Sequence, residues 1–473
     1  MKNASSTATT AVMGLAVIAA FSAGYRANAW REARSGGWLP PAASPTVPLI
    51  RTADGQFAKG NLGDPSRARV AKPDLKPYET LYEVRQAIKD NFVKTKVDDT
   101  QLTYGAVRGM LKALGDRFTR FLTPEEYDDF NERNSAEFTG IGARIDIKDD
   151  YKGGSQSKPF GSSRPYIVEP IEGSPAAQAG LKKDDVLLAI NGKSTADMSD
   201  EATVAAIRGV RGTTVNVKVE RLIAVKDKAL ADNTRRDGSA DGTFQVLDLV
   251  IKRDIIEMHP VKLEWLPGDI AWLRLDEFNK KTDTEMGQAL RDIEKGHDGK
   301  AATGILFDMR SNPGGLLDAA VDVGSRFISS GPIVFTRERD GSERALTAEK
   351  NRFMNLKIPV VVMINRYSAS AAEIVTGAIK DTRTGTVLGE TSFGKASVQN
   401  LVELKNGGAL VITTAKYLTP SKTDISEKGI SPDVAVKASD EDDKSGKGAQ
   451  LQKAVAVINE KIGKAPTTVA QTN

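Results

Sequence analysis

Residues 359–374 read PVVVMINRYSASAAEI. Pro359 to Ile364 is a strand-like apolar run, and Ile374, Val375, Ala378 and Ile379 beyond it mark one face of a helix. Ser370 therefore stands at a strand-to-helix turn, its hydroxyl directed outward beside the unpaired N–H groups of a helix start. That placement suits a nucleophile, because the N–H of the next residue can stabilise an oxyanion. Outward from this stretch the alternation repeats: strand Ile270–Leu275, helix 282–295, strand Gly304–Asp308, helix 316–328, strand Ile333–Thr336, strand Val360–Ile364, helix 371–380. Apolar β-runs alternating with helices predict an α/β core.

The 473 residues carry 66 Lys and Arg against 62 Asp and Glu, a net charge of +4 that is too weak and too mixed to point to nucleic acid. With 40% hydrophobic residues the chain is long enough for two or three domains with cores of their own. There is no cysteine, which excludes disulfides, thiolate metal sites and a cysteine nucleophile. The absence leaves the redox compartment open.

A serine nucleophile needs a base, and the two histidines, His259 and His297, sit in neither a Gly-rich nor a strand-end context. A lysine serves if burial lowers its pKa from ~10.4 toward ~7–8, so that the amine is neutral. Lys395, in Thr391-Ser392-Phe393-Gly394-Lys395, is flanked by a flexible glycine and an aromatic ring able to desolvate it. Gln399 lies on the same side and would orient the amine if the intervening stretch is helical or turned.

The segments divide the chain. Residues 11–24, AVMGLAVIAAFSAG, follow Lys2 and a Ser/Thr stretch and precede Ala27-Asn28-Ala29, the pattern of an export signal. The run falls short of the ~20 residues of a membrane span, and cleaved signal and retained anchor both stay open. Either places the remainder outside the cytoplasm, in the periplasm or another extracytoplasmic space. Residues 30–75 are a Pro/Gly-rich linker. Residues 76–135 are helical: Leu81, Val84, Ile88 and Phe92 share one face, Leu102, Ala106, Met110 and Leu114 another, and Thr123-Pro124-Glu125-Glu126 opens a third helix. Residues 223–252 are a polar connector, 253–438 the core, and 439–473 a charged linker and a C-terminal helix.

Residues 136–222 resemble a PDZ domain in the order of their pieces: Gly140-Ile141-Gly142, the strand-like Ala143–Ile147, Ser174-Pro175-Ala176, the apolar run ending at Asn191-Gly192, and Ile207-Arg208-Gly209 before Val215–Val219. In such a module the Gly-flanked loop converges backbone N–H groups on a peptide's terminal carboxylate, and the next strand accepts the peptide as an added strand. Gly140, Ile141 and Gly142 are the expected binding residues. Arg208 reads either as a solvated helix-end cation or as a contact coupling this domain to the core.

The core resembles the carboxy-terminal processing, or tail-specific, proteases. Their Ser–Lys dyad falls on the second serine of Ser368-Ala369-Ser370 and on Lys395 of Phe393-Gly394-Lys395, at the family's spacing. The supporting glutamine falls on Gln399, and an acid reported as important in some members falls on Asp381. The motif Asp-x-Arg-x-Asn-Pro-Gly-Gly is intact at Asp308–Gly315. One of its glycines, Gly315 in preference to Gly314, would complete the oxyanion hole with the Ala371 N–H. The likeness runs from about residue 76, through Asp116–Leu122, to Gly429–Asp433. Ala372, Ala396 and Lys422 depart from the usual pattern without removing a reacting group.

The resemblance implies a multidomain α/β protein: a crotonase-like protease core with an inserted PDZ domain and an N-terminal helical region, hydrolysing peptide bonds without metal or other cofactor. Expected partners are protein or peptide substrates with free C-terminal ends. An adaptor or regulatory protein, the membrane through the N-terminal segment, and a second copy of the chain are further candidates. Ser392-Phe393-Gly394-Lys395 also spells S-x-x-K, but the S-D-N and K-T-G partners of penicillin-interacting enzymes are absent from the sequence. The rival of another class is a non-catalytic peptide-binding scaffold of the same fold, against which the intact Ser370, Lys395, Gln399 and Pro-Gly-Gly argue.

Overall fold

The computed structural model describes residues 76–148, 163–196, 198–223, 243–439, 442 and 446–463. The expected signal or anchor and the linker lie outside them. The chain divides into two compact units, one spanning Glu137–Met258 and the other holding the segments before and after it.

The larger unit is built on a six-stranded sheet in the order Val261–Leu266, Ile270–Leu275, Gly304–Asp308, Val360–Ile364, Thr386–Gly389, Val434–Ala435. Its first pair is antiparallel and the rest are parallel. Gly304–Asp308 and Val360–Ile364 are buried at every position, which is why they read as unbroken apolar runs. Alternate side chains serve opposite faces. Ala271, Leu273, Ile305, Phe307, Val362 and Ile364 pack in one core with the helices Thr282–Lys295, Leu317–Phe327 and Ala371–Thr382. Trp272, Leu306, Val361 and Met363 face the other way, onto Leu451, Val455 and Ile458 of the helix Ala449–Lys461. Each such side chain taken out of water contributes ~1.5–3 kcal/mol, so the C-terminal helix is a structural layer of the core. Arg310 ties it further: its guanidinium pairs with Asp308 (2.7 Å) and reaches Asp442 (3.1 Å).

A second sheet, antiparallel, runs Arg120–Leu122, Ala409–Leu418, Pro332–Glu338, Glu343–Thr347, with Ser397–Glu403 also paired to Ala409–Leu418. The region before residue 136 is thus helical at Lys76–Asn91, Asp99–Lys112 and Pro124–Ser135, but it also lends the strand Arg120–Leu122 to this sheet. No helix among the described residues is long and apolar enough to cross a membrane.

In the smaller unit the strands Ala143–Lys148, Arg164–Pro170, Val186–Ile190, Thr214–Ile223 and Thr243–Lys252 form one sheet in that order, around Ile141, Ile145, Ile167, Leu187, Val217 and Ile251. Asn191 and Gly192, both at positive φ, make the two-residue turn between Val186–Ile190 and Lys193–Ser194. The unit is longer than the composition suggests. Thr243–Lys252, expected in a polar connector, pairs with Thr214–Ile223 from Thr214↔Lys252 to Ile223↔Thr243, and Asp254–Glu257 pairs with Glu137–Gly140. The boundary therefore falls at Met258, where sheet hydrogen bonding ends, and the core resumes at His259.

Candidate active site

Ser370 follows the buried strand Val360–Ile364 and is the residue from which the helix Ala371–Thr382 starts. Its φ of 56° is in the left-handed region, a conformation that costs a side-chain-bearing residue ~1–3 kcal/mol and persists only where the surroundings hold it. They do. Ala369 N–H donates to Asn312 O (2.9 Å), and the Ser368 hydroxyl donates to Met309 O (2.8 Å) while accepting from Asn365 N–H (3.0 Å). Ser368 is thus a turn brace. Ser370 Oγ is buried and has no hydrogen-bond partner.

Against this turn lies the Asp308–Gly315 loop. At Gly314, with φ 98°, a Cβ would stand 2.7 Å from Ser370 Cβ and 2.8 Å from Ala371 N, so only glycine allows the two loops to meet. The Gly314 N–H is given to Asn312 Oδ1 (2.8 Å), which leaves Gly315 as the glycine whose N–H is not spent inside the turn. The Ala371 N–H, first in its helix, has no intrahelical acceptor by position.

Lys395 is 1% exposed and its Nζ also lacks a hydrogen-bond partner. The amine sits 5.2 Å from the centroid of the Phe118 ring. Burial lowers its pKa to about 7, helped by the Arg120 guanidinium and opposed by Glu373 and Asp116. Gln399 corrects the spacing argument: the stretch after Ser397 is a strand, not a helix or turn, with a register shift between Val398 and Gln399. The Gln399 amide donates to Phe118 O (2.7 Å), which assigns the nitrogen and leaves Oε1 as a buried acceptor without a partner.

Two features received no role at the site from the sequence. The first is the 116–120 segment, whose Asp116 carboxylate takes the N–H of Phe118 (3.0 Å) and Thr119 (3.2 Å) and so turns Phe118 toward the amine. The second is Glu373, fully buried, whose Oε2 accepts from the N–H of both Ser370 (2.8 Å) and Lys395 (2.9 Å). Its position three residues after a helix-starting serine was a visible signal, but it predicts only a local cap. The Tyr417 hydroxyl lies among Ser370 O, Lys395 O and Glu373 Oε2, held protonated by burial and by the Glu373 charge.

Other candidates lie elsewhere. Asp381 is exposed and accepts from Ser421 N–H (2.9 Å), apart from the buried Ser370, Lys395 and Gln399, so its carboxylate braces a surface turn. His259 and His297 are surface residues beside Glu285 and Asp298. In the smaller unit, Gly142 (φ 75°) accepts at its carbonyl from the Ser174 hydroxyl, and a Cβ there would meet Ser174 Cβ at 2.4 Å. The loop Gly140–Gly142 leads into Ala143–Lys148, which is the edge strand of the described sheet and packs beside the helix Asp200–Ile207. Arg208, half-buried, ends that helix, its N–H donating to Val204 O.

The peptidase family S41 model matches residues 269–436, and the PDZ domain model residues 166–221. The carboxy-terminal processing protease CtpA of Bacillus subtilis is 33% identical over 393 residues, 83% of this chain and 76% of the relative. The carboxy-terminal-processing protease of Bartonella bacilliformis is 34% identical over 354 residues, 75% of this chain and 74% of the relative. Among solved structures, the photosystem II D1 C-terminal processing protease is 27% identical, with a TM-score of 0.43 over 78% of this chain and 94% of that one. The two family matches and the likeness to the Bacillus and Bartonella relatives define a serine-type peptidase carrying a PDZ domain. The chain belongs to the carboxy-terminal processing proteases.

Proposed function

We propose that this peptidase is exported and cuts proteins near their C-terminal end with Ser370 as nucleophile and Lys395 as general base. One observation carries the reading. Lys395 is a buried amine without a hydrogen-bond partner, on a loop whose backbone is bonded to the same carboxylate oxygen as that of Ser370. Leaving such an amine unpaired costs stability, which a merely structural lysine would not require.

The neutral amine takes the Ser370 proton as Oγ attacks the scissile carbonyl carbon. The Gly315 and Ala371 N–H groups receive the oxyanion, and Gln399 Oε1, a buried acceptor without a partner in the resting site, takes an N–H of the amine as it becomes an ammonium. The ammonium returns its proton to the departing amine as the C–N bond breaks. Water then gives a proton to Lys395 and attacks the ester carbonyl; the ammonium returns that proton to Ser370 Oγ as the C–O bond breaks, and the released carboxylic acid loses its proton to solvent. The PDZ unit supplies the substrate: its edge strand adds the peptide and its Gly140–Gly142 loop receives the terminal carboxylate. Export rests on the apolar run 11–24 and its small-residue triplet.

The test compares wild type with Ser370→Ala on a peptide ending in a free apolar carboxyl residue. Wild type is expected to cleave and the variant to fall to background. Equal cleavage by both removes the dyad, and a wild type that binds the peptide without cutting it supports the scaffold reading.

A further inference from the structure

Glu373 is the third residue of the helix Ala371–Thr382 and has no solvent exposure. A capping glutamate ordinarily reaches back only to the N–H at the start of its own helix. This one does so at Ser370 and also gathers three donors from a loop about twenty residues away: Ser392 Oγ (2.6 Å), Gly394 N–H (2.6 Å) and Lys395 N–H (2.9 Å). Four donors within 2.9 Å on two oxygens, with the Tyr417 hydroxyl farther off at 3.4 Å from Oε2, match an ionised carboxylate, which accepts only. None of the four is itself charged, so above about pH 7, where the side chain is ionised, its charge is not cancelled by its own donors.

We propose that Glu373 is a positioning residue for the dyad, a carboxylate that clamps the Ser370 turn to the Lys395 loop and acts as counter-charge to the Lys395 amine. The inference rests on the Ser–Lys reading above and adds to it the group that sets the dyad's geometry and working pH. The Lys395 amine is faced by Glu373 from this helix, by Asp116 and Arg117 from the preceding turn, by Arg120 from the strand Arg120–Leu122, and the Tyr417 hydroxyl of Ala409–Leu418 lies at its carbonyl. The two arginines favour the neutral amine, whereas Glu373 and Asp116 favour the ammonium. Glu373 is itself pushed up to about 7 by burial, against its four donors. The two groups titrate as a pair, and the acid limb of the reaction follows the protonation of Lys395 within that pair.

The consequence is specific. In Glu373→Gln the clamp is halved, because an amide has one acceptor oxygen and turns an NH2 toward N–H groups. The variant also loses the anion, so Lys395 holds a proton less firmly and the acid limb of the pH profile moves to lower pH. A side chain that only stabilised the fold would move neither kcat alone nor the limb.

The experiment measures kcat and KM against pH for the full chain on the free-carboxyl peptide, for wild type, Glu373→Gln, Glu373→Asp and Ser370→Ala, with thermal melts on each. Glu373→Gln is expected to lower kcat by roughly 30- to 100-fold with little change in KM. Its acid limb should fall by about one pH unit. Glu373→Asp keeps the charge but shortens the reach, so its kcat falls while its limb stays where wild type has it. A folded Glu373→Gln with wild-type kcat, or with a limb unmoved or moved upward, overturns the inference. If that variant does not fold, a wild-type kcat in Glu373→Asp overturns it instead. Ser370→Ala keeps the two failures apart: if it cleaves like wild type the dyad reading falls, and if it is inactive while the Glu373 variants behave as wild type, only the clamp falls.

Discussion

Replacing Lys395 with methionine is expected to abolish peptide cleavage and, at the same time, to raise the thermal midpoint of the protein. The amine is 1% exposed, unpaired, and held to about 7 by burial first and the Arg120 charge second. In the unfolded chain it titrates near 10.5. A base whose pKa is lowered by folding is bound by fewer protons in the native state, so its cost to stability grows as pH falls from about 10.5 to about 7 and is constant below that. At pH 8 the cost is about 3 kcal/mol, from 1.4 kcal/mol per unit between that pH and the unfolded value. Methionine fills similar space without a charge to desolvate, and recovering even half of that figure raises the midpoint by roughly 2–3 °C. Loss of the base should lower kcat/KM by at least ~10³-fold. Cleavage assays and melts at pH 8 check both halves. A methionine variant that still cuts, or that unfolds well below wild type, contradicts the assignment.

The second large effect is expected at Gly314. Its φ of 98° disfavours any side chain, and a Cβ would stand 2.7 Å from both Ala369 O and Ser370 Cβ. Two of the three nearest atoms are backbone, so the strain is relieved by moving the Ser370 turn away from the loop that carries Gly315. Gly314→Ala should therefore lower kcat by ~10²–10³, the effect of losing one oxyanion donor, with KM close to wild type. A stability loss of ~1–3 kcal/mol accompanies it. The kcat and KM of the purified variant, with its melt, decide the matter; a kcat close to wild type would mean that the loop does not touch the reacting centre.

Much of the core was legible because its central strands are buried on both faces and its helices on one. Ile270–Leu275, Gly304–Asp308, Val360–Ile364 and Thr282–Lys295 appear with the bounds expected from their apolar patterns. Thr243–Lys252 was hidden by the polar residues before it, since a half-exposed strand alternates weakly and its partner lies across an insertion. The site divides in the same way. Ser370 and Lys395 were named from motif and chemistry, and the fold buries both. Gln399 was named as well, but its setting was not foreseen: a bulged strand, rather than a helical or turned spacing, carries it. Glu373, Phe118 and Arg120 act through contacts between segments far apart in the chain, and no local pattern records such convergence. Asp381 shows the converse, a position suggested by likeness alone whose carboxylate the fold turns to the surface.

Catalysis as proposed requires Lys395 to be uncharged when Ser370 reacts, and the dependence of kcat/KM on pH tests that most directly. For wild type and a free-carboxyl peptide, kcat/KM is predicted to be low at pH 5, to climb through an apparent pKa near 7 and to level off above pH 8. A profile that stays flat down to pH 5 in a folded enzyme would contradict it.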